Sequence, residues 1–211
     1  MKKVTVIIPV YNQEELVIKA LKSIPDREDI EIIVVDDGSS DFTWNSLMKY
    51  RVQNTHLKSH IVYIRNAKNK GVSYSINKAL DIATGEYVVL LGSDDYFYTD
   101  RFLEVMEELG DYDLVFFDLE INDGTILTSN EKKQLDGSVK FMRREFIGNT
   151  RNREDKKAGE DYYFYMELLK KNPRIKYTNI VAKHYNYPRE GSLSYLVLQG
   201  EIEGSDKSEK I

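Results

Sequence analysis

Two adjacent acidic pairs close apolar runs in this chain: Asp36-Asp37 after EIIVV, and Asp94-Asp95 after YVVLLGS. A carboxylate at the end of an apolar strand loses hydration unless it is paired, hydrogen-bonded or bound to a cation. Asp36-Asp37 is followed by Gly-Ser-Ser-Asp, which can satisfy it locally as an Asx turn and helix cap. Asp94-Asp95 runs into YFYTD and has less local relief. Neighbouring carboxylates repel unless a divalent cation lies between them and an anionic ligand. Oxygen ligands of this kind suit Mg2+ or Mn2+, which keep coordination positions open for phosphate oxygens. The chain has no cysteine, which excludes thiolate zinc sites, iron–sulfur clusters, disulfide scaffolds and cysteine nucleophiles.

The elements that must position these acids alternate. Apolar runs at 4–10, 31–37, 61–64 and 87–91 read as strands, and helical periodicity appears at 14–23, 41–50, 72–83 and 100–109. Ser40 or Asp41 is the expected cap of the second helix, Gly85 the stop of the third and Asp100 the cap of the fourth. Such alternation predicts βαβ units: an α/β fold with a mostly parallel, Rossmann-like sheet and helices on both faces. Ligands of these sheets bind beyond the carboxyl ends of the strands. Four loops converge there: 9–12, 36–39, 66–71 and 92–95. Beyond Asp113 the pattern changes. Residues 113–121 read as a strand, Asn122-Asp123-Gly124 as a hairpin turn and 125–127 as its antiparallel return. The stretch 137–149 is ambiguous, 151–157 is a charge run expected to be a solvated loop, 160–171 is a helix and 180–187 a last strand.

The length of 211 residues predicts one domain over 1–198, with a disordered polar tail at 199–211. Hydrophobic residues at 41% and charged residues at 31% describe a globular chain with a core, not a disordered one. The net charge of −5 argues against nucleic acid as a partner. The opening apolar run ends at Val10, is broken by Pro9 and lacks a cleavage site, and no run reaches the roughly 20 residues of a membrane span. The expectation is a soluble, cytoplasmic protein.

Five segments in order, VTVIIPVYN (4–12), VVDDGSSD (34–41), NKGVSYSINKAL (69–80), ATGEYVVLLGSDD (83–95) and AGEDYYF (158–164), resemble glycosyltransferase family 2, the inverting nucleotide-sugar transferases of the GT-A fold. The resemblance covers roughly residues 2 to 195. It implies that Pro9, Val10 and Tyr11 line the nucleoside pocket, that Asp37 bonds the base edge with support from Asp36, and that a uracil base is favoured. It further implies that Asn69, Gly71 and Asn77 pass beside the diphosphate and sugar. Ser93 and Asp94 would contact the donor, and Asp94 and Asp95 would hold Mn2+ or Mg2+ against the diphosphate. Asp161 would be the general base, with Glu160 beside it. The first acid of the family's DSDD is Gly92 here, and Ile76 replaces a frequent arginine, for which Lys68 or Lys70 could compensate. His184 or Glu190, in HYNYPREGSLS, stands where a late metal ligand is expected.

The implied partners are a nucleotide-sugar donor and a glycan, lipid-linked or protein acceptor, the lipid-linked case requiring peripheral contact at the inner face of a membrane. The alternative is an inactive relative that binds a nucleotide sugar or a protein. A receiver domain would need an aspartate closing the third strand, where IVYIRN has none, and a dinucleotide-binding domain would need GxGxxG where PVYNQEE has no glycine. Tyr162 to Tyr165 read as a helix half packed on the sheet, and Trp44 as core.

Overall fold

The computed structural model of the chain describes residues 3–130, 139–155, 159–192 and 199. Its first half is the alternation read above: β1 (Val4–Val10), α1 (Leu16–Lys22), β2 (Ile30–Asp36), α2 (Thr43–Gln53), β3 (His60–Arg65), α3 (Val72–Leu80) and β4 (Tyr87–Leu90). These four strands lie in the order β3-β2-β1-β4 and all pair in parallel. Their Val- and Ile-rich sequences suit a sheet covered on both faces, and β2 is buried along its whole length. The chain steps outward from β1 to β3, then returns past β1 to β4. That reversal makes the gap between β1 and β4 at their carboxyl ends a topological switch point, the crevice where open α/β sheets take ligands.

The second half comprises β5 (Tyr96–Phe97), α4 (Thr99–Glu107), β6 (Leu114–Ile121), β7 (Ile126–Leu127), β8 (Lys140–Arg143), α5 (Arg144–Ile147), α6 (Glu160–Leu169) and β9 (Ile175–Tyr185). The sheet continues β4-β8-β6-β9-β5, with β7 on β6. The longer ladders of the sheet are parallel, as expected for its core, and the second half adds short antiparallel ones. Among the described residues β6 and β9 pair in parallel in this half, while β4–β8, β6–β8, β6–β7 and β5–β9 are antiparallel.

Boundaries also shift. The last strand begins at Ile175 and ends at Tyr185, because Ile175, Lys176 and Tyr177 pair with Leu114, Val115 and Phe116 before the register breaks. Asn179, at φ 54°, falls in that break and interrupts the alternation a reader would follow. Helix α3 stops at Leu80 rather than at Ala83. Helix α4 is entered at Tyr98, so Asp100 lies in its first turn, where it faces the helix dipole, instead of at the cap. Helix α2 has Phe42 at its cap position, with Asp41 accepting from the Thr43 N–H. Residues 156–157 of the charge run and the tail beyond Gln199 lie outside the described residues.

The amino edge of the sheet is structural. Glu31, 3% exposed, accepts from Thr5 Oγ1 at 2.6 Å, Thr84 N at 2.8 Å and Thr84 Oγ1 at 2.9 Å. Glu31→Ala strands these donors. It should lower the unfolding free energy by about 1–3 kcal/mol for each donor left unpaired, read by urea denaturation. Because the change lies at the edge opposite the switch point, ligand binding there should survive it. Lost binding in a folded variant would contradict the assignment of this edge as structural.

Candidate active site

The carboxyl edge is built from four loops that hold one another. After β1, Asn12 (φ 51°) accepts from Ser40 N through Oδ1 at 2.9 Å, and its own N–H donates to Ser39 Oγ at 2.9 Å. This stitches the loop after β1 to the loop after β2. Gly38 makes the next approach possible. Its φ is +71°, and a Cβ there would stand 2.5 Å from the backbone carbon of Lys68, so only glycine lets the two loops touch. Tyr11 stands above them, 43% exposed, with its ring available for stacking. Val10 is buried, so at the edge it offers its backbone, and its carbonyl accepts from Asp37 N at 2.8 Å.

The two acids after β2 separate in role. Asp36 is fully buried. It accepts from Ser39 N at 2.9 Å through Oδ1, and Arg65 Nε stands 3.1 Å from Oδ2, close enough for charge pairing though outside hydrogen-bond geometry. This is the Asx turn that the sequence allowed. Asp37, 3% exposed, accepts from Asn66 Nδ2 at 2.8 Å, Lys70 N at 3.0 Å and Gly71 N at 2.7 Å. It therefore organises the loop entering α3. A carboxylate offers about four acceptor positions, so little is left for a base edge. Gly71, at φ +93° with open space around it, turns the chain into the helix. Asn69 is exposed beside it and accepts from Gly71 N at 3.1 Å.

Asn77 does something the sequence did not disclose. Its Nδ2 donates to the Asn152 carbonyl at 3.0 Å and to Glu154 Oε1 at 2.9 Å, and its Oδ1 accepts from Asn152 N at 2.7 Å. Arg151 adds a bond to Asp81 at 2.7 Å. The described part of the charge run, 151–155, is thus bolted to α3 rather than free in solvent. That run leads to Gly159, in the left-handed region at φ 73°, and then to Glu160 and Asp161 in the first turn of α6. Asp161 is half-buried and its Oδ1 accepts from Tyr162 N at 2.8 Å. Farther along α6, Phe164 and Tyr165 are buried, with Tyr165 edge-on to Phe116, while Tyr162 and Tyr163 are half-exposed. Trp44 is partly buried under the Arg65 guanidinium.

After β4 the arrangement departs most from expectation. Asp94 Oδ2 accepts from Arg189 Nε at 2.7 Å. Asp95 Oδ2 accepts from Lys183 Nζ at 2.9 Å, and Oδ1 from Asn186 N at 2.9 Å. The Asp95–Lys183 pair is almost fully buried, at 3% and 2% exposure. Burial pushes the Asp95 carboxyl up from its ordinary value, Lys183 pulls it back and the Asp94 charge raises it. Gly92 gives the pair its room, since a Cβ there would lie 2.8 Å from Asp95 Oδ2. Ser93 is buried between them in sequence.

These side chains do not fit a divalent metal as the sequence proposed. Asp95 spends both oxygens on Lys183 and Asn186, and Asp94 carries a guanidinium. His184 cannot complete the set, because successive residues of a strand face opposite sides and Lys183 is the one facing Asp95. The His184 ring stacks on Tyr96 at 4.6 Å, with its Nδ1 buried and unpartnered. Among the described residues no three His, Asp or Glu side chains gather as a metal-holding group. Lys183 was the partner missed. An isolated lysine in VAKHY gives no sign in sequence of where it points.

His184 has a pH signature instead. Burial, then the Lys19 charge, hold its pKa below the ordinary 6.5, against weaker pulls from Glu120 and Asp95. The unfolded chain therefore binds the proton more readily. His184 costs nothing above pH 6.5, and stability should fall as the pH drops below it. His184→Phe should flatten that slope between pH 7 and 5 in denaturation curves; an unchanged slope would contradict the partly buried neutral ring.

Glycosyl transferase family 2 matches residues 5–177. An Escherichia coli UDP-Glc:alpha-D-GlcNAc-diphosphoundecaprenol beta-1,3-glucosyltransferase, WfaP, is 27% identical over 209 residues, covering 92% of this chain and 80% of that relative. Crystalline S. aureus TarS in complex with UDP-GlcNAc aligns with a TM-score of 0.77 at 24% identity, over 90% of this chain and 60% of that one. Mannosyltransferase PcManGT from Pyrobaculum calidifontis, in complex with GDP-Man and Mn2+, aligns with a TM-score of 0.74 at 19% identity, over 95% of this chain and 61% of that one. The chain thus spans about three fifths of either solved neighbour. The fold is GT-A, as the resemblance implied, and the chain belongs to glycosyl transferase family 2.

Proposed function

We propose that this glycosyltransferase moves a sugar from a UDP-linked donor to an acceptor hydroxyl with inversion, and that the acceptor is carried on a lipid diphosphate. The donor and acceptor classes follow the E. coli relative, whose name states both, and TarS, crystallised with UDP-GlcNAc. Among the described residues no helix is long and apolar enough to cross a membrane, so a lipid-linked acceptor would be met at the membrane surface.

One observation carries the reading: a run of hydrogen bonds ties the loop after β2 to the entry of α3, and α3 to residues 152 and 154, which precede the acidic pair in sequence. Asp37 holds the entry of α3 through Asn66, Lys70 and Gly71, and Asn77 of the same helix holds 151–154 on the approach to Asp161. The run supports a donor-side loop and an approach to α6 that share α3 as their anchor. Tyr11 covers the nucleoside ring, and its exposed position leaves space for a flat ligand. Asp161 lies in the first turn of α6, where the helix dipole favours its ionised form. A carboxylate there takes the proton of the attacking hydroxyl as the hydroxyl oxygen bonds the anomeric carbon and the diphosphate departs from the opposite face.

The test is a thermal-denaturation series with UDP-sugars, followed by transfer to a polyprenyl-diphosphate sugar. A donor at about 100 times its dissociation constant should stabilise the fold by about 2.7 kcal/mol, and product should carry the inverted anomeric configuration. Absence of stabilisation by every nucleotide sugar would overturn the reading. Binding without transfer to any acceptor would favour a binding module.

A further inference from the structure

We propose that Arg189 is the cation that meets the donor's diphosphate, and that Asp94 serves to hold it rather than to bind a divalent ion. The inference deepens the nucleotide-sugar reading and rests on it. A departing diphosphate carries several negative charges, and some cation at the carboxyl end of β4 must offset them. The acids there are already matched one to one. Asp95 is buried against Lys183 at 2.9 Å, and Asp94 is engaged by Arg189 Nε at 2.7 Å.

The two pairs differ in what they can offer a ligand. Lys183 is 2% exposed and faces inward to Asp95, whereas Arg189 is 23% exposed and its partner Asp94 is 19% exposed. Of the Arg189 donors, Nε goes to Asp94 and Nη1 makes a long 3.4 Å contact with the Glu190 carbonyl. Nη2 has no partner among the described residues. A guanidinium is a planar fork of five N–H groups that suits phosphate oxygens, and clamping it through Nε fixes the orientation of the remaining donors. Bound in this way it occupies one of the two Asp94 oxygens, and its charge repels a divalent ion. Gly92 is consistent with this arrangement, because the missing first acid leaves no further carboxylate on that side.

Calorimetric titration of the full chain separates the possibilities. UDP, GDP, CDP and dTDP are titrated with excess EDTA and again with Mn2+, alongside the matching nucleosides. The wild type should bind one diphosphate more tightly than its nucleoside, with EDTA present. Arg189→Ala should lose about 10- to 100-fold of that diphosphate preference, the worth of a charge-assisted hydrogen bond, while nucleoside affinity stays the same and reports an intact pocket. Arg189→Lys should recover only part, since it keeps the charge without the fork. Full diphosphate preference in Arg189→Ala, or wild-type binding that appears only with Mn2+, would overturn the proposal and leave the nucleotide-sugar reading standing. A wild type that binds none of the diphosphates or nucleosides would overturn both.

Discussion

Asp161→Asn should lower turnover by about 10²- to 10⁴-fold, the usual worth of a general base, while leaving nucleotide-sugar affinity near the wild-type value. The asparagine is isosteric and keeps the acceptor atom that receives the Tyr162 N–H, so the turn at the start of α6 is preserved. What it loses is the ability to take a proton. Glu160→Gln is the matched control, because Glu160 is the neighbouring acid in the same turn. Steady-state rates for both variants, with donor affinity measured separately, check the assignment. Normal turnover in Asp161→Asn with a dead Glu160→Gln would move the role to Glu160. Normal turnover in both would remove the support for a carboxylate base. Asn77→Ala supplies a graded companion: loss of its bonds to Asn152 and Glu154 frees the approach to α6 and should reduce kcat with little change in donor affinity.

The second large effect lies in the fold. Asp95→Ala leaves the Lys183 ammonium buried without its carboxylate, and removing one partner of such a pair costs about 3–5 kcal/mol. Lys183→Met should cost a comparable amount at neutral pH but respond differently to acid. Asp95 is already pushed up by burial, and without Lys183 its folded-state pKa rises further above the unfolded value of 3.8. The folded form then binds the proton more readily. The penalty stands in full above the folded pKa and is relieved as the pH falls through it toward 3.8. The double variant Asp95→Leu, Lys183→Met should regain much of the loss, since an apolar pair of similar volume often replaces a buried ion pair without cost. Urea denaturation across pH measures all three. Single variants with wild-type stability would mean that the pair is solvated and not the buried bridge described here.

The parallel half of the fold was legible because its physics is local. Residues such as Ile32, Ile33, Val34 and Val35 form an uninterrupted β-branched run, and Val72, Ile76, Ala79 and Leu80 repeat at helical spacing. The antiparallel half was obscured where tertiary packing overrides pattern. Lys140 lies inside β8 and is buried over the ring of Tyr165 at 4.5 Å, so a strand position reads as a surface one. Asn179 breaks the alternation of β9, and the two-residue β5 is too short to carry a period. At the carboxyl edge, residue types identified the loops, since Asp37, Gly71 and Asp94 lie after β2, β3 and β4 in the order that strand polarity implies. Partners were the illegible part. Nothing in VAKHY or YPREG shows that Lys183 and Arg189 reach back nearly ninety residues and more to Asp95 and Asp94. Nor does SINKAL show Asn77 reaching forward to Asn152 and Glu154. Long-range charge pairing is decided by the fold, and it sets Lys183 and Arg189 against the two acids at the end of β4.

Binding of a nucleoside diphosphate donor at the switch point between β1 and β4 is read by amide hydrogen exchange with and without saturating UDP. Protection should rise in 10–13, 37–41, 66–72 and 92–95, the four loops of the carboxyl edge, while the amino edge around Glu31 and Thr84 stays unchanged. Protection confined to another part of the chain, with those four loops unaltered at saturation, would contradict the account.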